Sequence, residues 1–245
     1  MTAYAELAAT TNFSFLRGAS HPQEMVATAK ALGLAAIGIA DRNSFAGVVR
    51  AFDEARRNPP IRLLVGTRLV TRDGFETLAY PIDRAAYGRL CRLLTKGNLA
   101  GKKGECLIGF EAVLAASEGQ MLIALPPDEA EWPADFTERL ALLAREAPGR
   151  VFVGGVHRHR GDEPRRLGLL AELGEKLGAP LVAVNDAFYH APARRPLLDI
   201  LACVREKCTL REAGFRLSIN AERHLKPPEE MARLFAGFEE ALVQT

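Results

Sequence analysis

Histidine, cysteine and lysine are all scarce in this sequence of 245 residues. There are five histidines and four cysteines, and no two cysteines have the Cys-x-x-Cys spacing of a zinc knuckle. Cys91, Cys106, Cys203 and Cys208 are therefore predicted to be reduced thiols of a cytoplasmic protein. Only seven of the 32 basic residues are lysine, so arginine supplies most of the positive charge. Arginine makes planar two-point contacts with phosphate and carboxylate groups that lysine cannot make.

Membrane-directing segments and strong nucleic-acid signals are missing as well. The opening MTAYAELAATTNF has no basic region followed by an apolar run, which excludes a signal peptide. No apolar run reaches the roughly 18 residues of a membrane-spanning helix, so no membrane partner is expected. The net charge of +2 and the aromatic content of 7% give no overall basic or base-stacking signal.

Short apolar segments alternate with amphipathic helical segments along the chain. Ser20 and Gln23 predict a capping box at the start of the first helix, which Gly33 ends. Alternation of this kind predicts βαβ units and a parallel sheet. Seven segments are predicted to be strands: Tyr4–Ala8, Leu34–Ala40, Ile61–Val70, Phe75–Tyr80, Met121–Leu125, Val151–Val156 and Pro180–Val184. The expected fold is an α/β, distorted (β/α) barrel of about seven strands, TIM-barrel-like, formed by residues 1–245 as a single domain.

Charged residues are predicted to gather at one end of this barrel. Asp41, His157 and Asp186 follow predicted strands, and Arg68 lies near the end of another. In a (β/α) barrel the functional groups lie at the carboxyl ends of the strands. We therefore expect these side chains to share one mouth.

Two stretches near the start carry a family resemblance. AATTNFSFLRGAS (Ala8–Ser20) and IADRNSFAG (Ile39–Gly47) resemble the first motifs of the PHP domain, the polymerase and histidinol phosphatase module of bacterial C-family DNA polymerases. Four further segments extend the likeness to the error-prone, DnaE-type branch of the polymerase III alpha subunits: Tyr80–Leu94, Val184–Asp186, Ile200–Cys208 and Leu225–Phe235. The resemblance implies the PHP fold and a chain that continues into a much longer polymerase, of which these residues are an N-terminal fragment.

The metal-binding positions of the family can be followed through this sequence, and most have changed. The resemblance implies two histidines, a turn carboxylate, a third histidine, a glutamate and a last histidine where this chain has Ala8, Thr10, Arg17, Arg42, Arg68 and Phe188. Asp186 is kept, with Asp41 beside the site. Arginine repels a cation, so we expect a degenerate metal site, no metal and no catalytic activity in this fragment. We also expect at least one of Arg17, Arg42 and Arg68 to lie within about 4 Å of Asp41 or Asp186, replacing the charge of the metals.

The predicted function is a structural and interaction module of an error-prone polymerase. Its expected partners are the palm and thumb of the same chain and, through the parent protein, DNA and replication or repair proteins. The paired aspartates that hold magnesium in a polymerase palm are absent here, so magnesium is expected only in the palm. Two alternatives stay open, a stand-alone metal-dependent PHP phosphoesterase and a weak single-stranded DNA-binding surface. The run His157, Arg158, His159 and Arg160 is a further candidate for anion binding, against a solvated loop.

Overall fold

The computed structural model describes residues 3–128 and 132–245, and a seven-stranded sheet forms its centre. Neighbouring strands in the sheet are also neighbours in the sequence, and all pairs are parallel except the two that β4 makes. The strands are β1 Ala5–Ala9, β2 Ala36–Arg42, β3 Arg62–Val70, β4 Glu76–Pro81, β5 Gln120–Leu125, β6 Val151–Val156 and β7 Leu181–Val184. The sheet curls into a nearly closed barrel.

Helices surround the barrel, and most of them bury apolar side chains against its outer face. They are α1 Pro22–Ala31, α2 Val48–Ala55, α3 Arg84–Ala100, α4 Phe110–Ala115, α5 Ala134–Glu146, α6 Glu163–Leu177, α7 Arg195–Glu206, α8 Leu210–Ala213, α9 Pro228–Leu234 and α10 Glu239–Val243. Two short 3₁₀ turns, Pro192–Arg194 and Gly214–Arg216, flank α7 and α8. None of the described helices is long and apolar enough to cross a membrane.

The barrel interior has its own small apolar core. Side chains of β1, β4, β5, β6 and β7 meet there, with Leu78 and Val184 fully buried. Tyr80 crosses the interior and donates a hydrogen bond to the carbonyl oxygen of Leu7. Its ring lies where a side chain at Gly38 or Gly66 would project, so the two glycines of β2 and β3 make room for it.

A buried carboxylate joins the first and last strands. Glu6 is completely buried and accepts hydrogen bonds from the Tyr4 hydroxyl at 2.6 Å, the Ala8 N–H at 2.7 Å and the Asn185 N–H at 3.1 Å. Burial raises the pKa of Glu6, although these three donors oppose the rise. Because Asn185 directly follows β7, Glu6 connects the two edges of the sheet.

The sequence predictions of the strands agree with the structure to within two residues at each end. The expected seven-stranded α/β barrel is confirmed. The predicted capping box was wrong, since the Glu24 side chain accepts from the N–H of His21. Ser20 instead bonds His190, with its hydroxyl accepting from the His190 N–H at 3.0 Å.

Removing the Glu6 carboxylate should weaken the contact between β1 and β7 and destabilise the protein. Glu6→Ala leaves three buried donors without an acceptor, and each such donor costs on the order of 1–3 kcal/mol. We expect the free energy of unfolding in urea to fall by about 3 kcal/mol or more. Glu138→Ala, on an exposed face of α5, is the matched control and should change it by no more than about 0.5 kcal/mol. Equal effects of the two substitutions would contradict this role of Glu6.

Candidate functional site

The carboxyl ends of four parallel strands meet at one mouth of the barrel, as expected for this architecture. The pairing of β2 with β3 places Arg42 beside Arg68. β4 runs in the opposite direction, so its first residue, Glu76, enters the same mouth. Thr10 and Asp186 follow β1 and β7 at neighbouring positions, where the Thr10 N–H donates to the Ala187 carbonyl at 2.9 Å.

Three arginines surround the carboxylate of Asp186. Arg68 donates to Oδ1, while Arg158 and Arg223 contact Oδ2 at 3.2 and 2.5 Å. Arg223 also donates through Nε to the backbone carbonyl of Asp186 at 2.7 Å. The side chains of Asp186 and Arg68 are 3% and 8% exposed, whereas those of Arg158 and Arg223 are partly exposed, at 16% and 14%. We call these four residues the Asp186 cluster.

The ring of Phe188 supports the same arginines from the side. The Arg223 guanidinium lies 3.7 Å from the ring centroid and that of Arg68 lies 5.7 Å away. A cation over an aromatic face is attracted by the ring's negative face, more strongly where water is excluded. Phe188 therefore contributes to an environment suited to guanidinium groups.

Electrostatics keeps Asp186 ionised. Burial by itself raises the pKa of an aspartate, but the charges of Arg223, Arg68 and Arg158 outweigh burial and hold the pKa of Asp186 well below its ordinary value of 3.8. Burial and the neighbouring Arg158 lower the pKa of Arg223 to about 10, because three cations share one central anion. Burial also acts against the charge of Arg68, but Asp186 and Glu76 outweigh it and raise the pKa of Arg68.

Two further carboxylates balance the outer side of the cluster. Glu76 lies 3.4 Å from Arg68 and 3.6 Å from Arg42. Asp128 lies 3.0 Å from the Nε of Arg158. The mouth is thus a network of arginines and carboxylates contributed by β2, β3, β4 and the loops after β5, β6 and β7.

Asp41, near the end of β2, bonds the turn after β1 and lies outside the Asp186 cluster, although it was expected to face the mouth beside Asp186. Its oxygens accept from the Thr11 N–H and Thr11 hydroxyl, both at 2.8 Å, and from the Ser14 hydroxyl at 2.7 Å. Among residues 3–128 and 132–245, no arginine lies within ion-pairing distance of it. Burial raises the pKa of Asp41 despite these donors. Asp41 therefore holds the turn after β1 in place.

The expected contact between an arginine and an aspartate is present, but only one of the three expected arginines makes it. Arg68 contacts Asp186, Arg42 contacts Glu76, and Arg17 has no carboxylate within 4 Å in the described part of the chain. Ala8 is buried in the inner core and contributes no polar group.

Arg158 and Arg223 also contact Asp186, although neither was among the three arginines considered for this contact. Arg158 had been considered only as part of the candidate anion-binding run. Arg223 was missed, because it lies in an irregular segment with no motif to draw attention to it.

The rest of the run His157–Arg160 lies beside the cluster. The His157 and His159 rings pack edge to face with centroids 4.5 Å apart, and burial lowers the pKa of His157. Arg160 contacts Asp128, with its Nη1 donating to the carbonyl at 2.9 Å. Anion binding by this run stays a prediction.

A cleft of about 470 Å³ opens directly over the Asp186 cluster. The three arginines of the cluster line it together with Arg139, and acidic and aromatic side chains complete the walls. In residues 3–128 and 132–245, no three side chains of His, Cys, Asp or Glu are grouped so that they could hold a metal ion.

A comparison with protein-family models decides the family. The model described as "PHP domain" matches residues 6–166. The chain belongs to the PHP domain family. Curated relatives extend the likeness over the whole chain. An error-prone DNA polymerase of Caulobacter vibrioides is 52% identical over 243 residues, and one of Rhodopseudomonas palustris is 51% identical over 247 residues. In both comparisons the match covers 99% of this chain and 22% of the relative's length.

Solved structures share the fold at much lower identity. A putative metal-dependent phosphoesterase from Bifidobacterium adolescentis matches with a TM-score of 0.59 and 16% identity, over 76% of this chain and 88% of its own. An amidohydrolase from Chromobacterium violaceum, solved with bound sulfate and no metal, gives the same values. These likenesses place the barrel among PHP-type, TIM-barrel-like folds.

Neutralising the central carboxylate should destabilise the protein in a pH-dependent way. Asp186→Asn leaves the buried guanidinium group of Arg68 and two half-buried ones around an uncharged amide, and breaking a buried ion pair in this way costs roughly 3–5 kcal/mol. The folded-state pKa is depressed, so the contribution of Asp186 is present above pH 3.8 and is lost as the pH falls below it. Urea unfolding of both proteins between pH 7 and pH 3 measures this. The variant should be less stable at pH 7, and the difference should shrink on acidification. A difference that stays constant with pH would contradict this assignment.

Proposed function

We propose that this chain is the PHP domain of an error-prone DNA polymerase and acts there as a metal-free structural module. The relatives of known name support the first part, since two of them match nearly all of this chain at about 50% identity. The match covers about a fifth of their length, which fits one domain of a longer polymerase. Residues 1–245 would form this single domain, packed against the palm and thumb in the cytoplasm, and magnesium would belong to the palm.

One observation supports the metal-free part above all others: Asp186 already has three cationic partners. Its two oxygens accept from Arg68, Arg158 and Arg223, so a metal would have to displace buried guanidinium groups. Each remaining arginine within about 4 Å of a cation would oppose it by on the order of 4 kcal/mol per unit charge at a near-surface dielectric. The side chains at this mouth do not fit a metal centre.

The same contacts suggest what the arginines do in place of the metals. They connect β3, the loop after β6 and the segment before α9 to one carboxylate after β7. A metal centre in a barrel of this kind likewise connects the ends of several strands through one ion. In this proposal the network preserves the shape of the mouth and supplies no hydrolytic chemistry, because metal-dependent hydrolysis needs a metal-bound hydroxide.

Elemental analysis tests the metal-free part directly. After dialysis without a chelator, the purified chain should contain well under one equivalent of zinc, manganese or iron. It should also show no hydrolysis of p-nitrophenyl phosphate or of DNA 3′ ends above the blank. One equivalent of metal per chain, or turnover that disappears in Asp186→Asn, would overturn the proposal and favour a phosphoesterase.

The variant Arg68→Glu tests whether the site has lost the ability to bind a metal or only lacks a metal after purification. The substitution restores a carboxylate at the position but places it beside Asp186 and Glu76. We expect it to destabilise the fold by roughly 3–5 kcal/mol, because it removes the buried partner of Asp186 and adds like charge. It should not increase the metal content after incubation with zinc or manganese. Tight metal binding by this variant, at the stability of the parent, would contradict the proposal.

A further inference from the structure

A second, smaller cavity lies against the Asp186 cluster, and we propose that it binds a phosphate group. Its volume is about 130 Å³, and Arg68, Glu76 and Phe188 line both it and the larger cleft. The ends of β1 and β2, the turn after β1, α7 and the segment after α8 form the remaining walls. We call it the arginine pocket.

Positive charge in the arginine pocket exceeds negative charge. Among the residues that the structure describes, five arginines line it, namely Arg17, Arg42, Arg68, Arg205 and Arg216, together with two carboxylates, Glu76 and Asp199. Both carboxylates already have partners outside or across the pocket. Glu76 contacts Arg42 and Arg68, and Asp199 contacts Arg195 at 2.7 Å. In the part of the chain that the structure describes, Arg17 and Arg216 have no carboxylate within 4 Å.

Arg17 is held in the pocket by the backbone around it. The preceding residue, Leu16, has a φ of +59°, in the left-handed region that side chains other than glycine rarely adopt. Arg205 of α7 donates to the Leu16 carbonyl at 2.8 Å and so fixes this turn. Burial, followed by the charges of Arg42 and Arg205, lowers the pKa of Arg17 to about 10. In the folded protein, burial and two neighbouring cations thus disfavour the positive charge of Arg17. A bound anion would stabilise that charge.

The hydroxyl of Thr10 gives independent support for a ligand in this pocket. Thr10 lines the pocket, is only 3% exposed, and its Oγ1 has no hydrogen-bond partner among the described residues. Buried hydroxyl groups are nearly always hydrogen-bonded, because an unpaired one costs free energy. A hydroxyl donor beside unpaired guanidinium groups suits a tetrahedral oxyanion, which offers an acceptor to each.

The size of the pocket suits a ligand group as small as a phosphate. A cavity of 130 Å³ is about ten times the minimum that holds one water molecule. It accommodates inorganic phosphate, or the terminal phosphate of a nucleotide or nucleic-acid strand whose remainder stays outside. Its walls hold no stacking platform for a base beyond Phe188, which the Asp186 cluster already covers.

Calorimetric titration with inorganic phosphate tests the proposal. The titration is run at constant ionic strength and with a chelator present, so that no metal contributes. We expect saturable binding that Arg17→Gln and Arg216→Gln each weaken at least tenfold. Thr10→Val, which keeps the shape of the side chain but removes the hydroxyl, should weaken it several-fold. Arg62→Gln is the matched control, since Arg62 is exposed at the start of β3, at the opposite end of the barrel, and should leave binding unchanged.

Stability measurements separate a binding role of Arg17 from a structural one. Without phosphate, Arg17→Gln should unfold at the same urea concentration as the parent or a higher one, because Arg17 has no ion pair to lose. Phosphate should stabilise the parent and fail to stabilise Arg17→Gln. No saturable phosphate binding by the parent, or equal binding by Arg17→Gln and Arg62→Gln, would overturn the proposal.

A comparison of oligonucleotides identifies the source of the phosphate. A short single strand with a 5′-phosphate should compete with inorganic phosphate if the ligand is a nucleic-acid end, and the same strand without it should not. If neither strand competes, the pocket takes free phosphate or a small phosphate ester. Equal direct binding of both strands to the parent and to Arg17→Gln, without displacement of phosphate from the parent, would mean that DNA binds elsewhere on the surface and that the pocket does not select a phosphate terminus.

Discussion

The buried carboxylate of Asp186 is the constraint on which the mouth of this barrel depends. An ionised aspartate at that depth would be prohibitively unstable without cationic or hydrogen-bonding partners. Arg68, Arg158 and Arg223 supply them from three separate segments, and Phe188 packs against two of them. A buried ion network adds little stability over an apolar core, but it is costly to break. Its effect is therefore to fix one arrangement of the loops around β7.

A barrel of this kind concentrates polar groups where its parallel strands end, and arginines and carboxylates supply those groups at this mouth. The charges are balanced on one side, where Asp128, Glu76 and Asp186 face the larger cleft. They are unbalanced on the other side, where no carboxylate of the described residues lies within 4 Å of Arg17. Arginines at this mouth thus surround the carboxylate of Asp186 and also line an adjoining pocket suited to an anion.

The fold and part of the site could be predicted from the sequence because they depend on local patterns. The seven strands follow from short apolar runs between helical segments, and the contact of Arg68 with Asp186 follows from both lying at strand ends. The expected position of Asp41 at the mouth was wrong because its contacts depend on the turn after β1. There Thr11 and Ser14 donate hydrogen bonds to its carboxylate. Arg223 and Glu6 could not be found, since their roles arise only when distant segments close the barrel.

A double-mutant cycle between Arg68 and Asp186 tests most directly whether arginine charge holds the mouth together. Urea unfolding of Arg68→Met, Asp186→Asn and the double variant gives their coupling free energy, and the same cycle with Arg42→Met serves as the reference because Arg42 contacts Glu76 instead. We expect a favourable coupling of about 2 kcal/mol or more for Arg68 with Asp186 and near-additivity for Arg42 with Asp186. Additive effects of Arg68→Met and Asp186→Asn, within about 0.5 kcal/mol, would contradict this expectation.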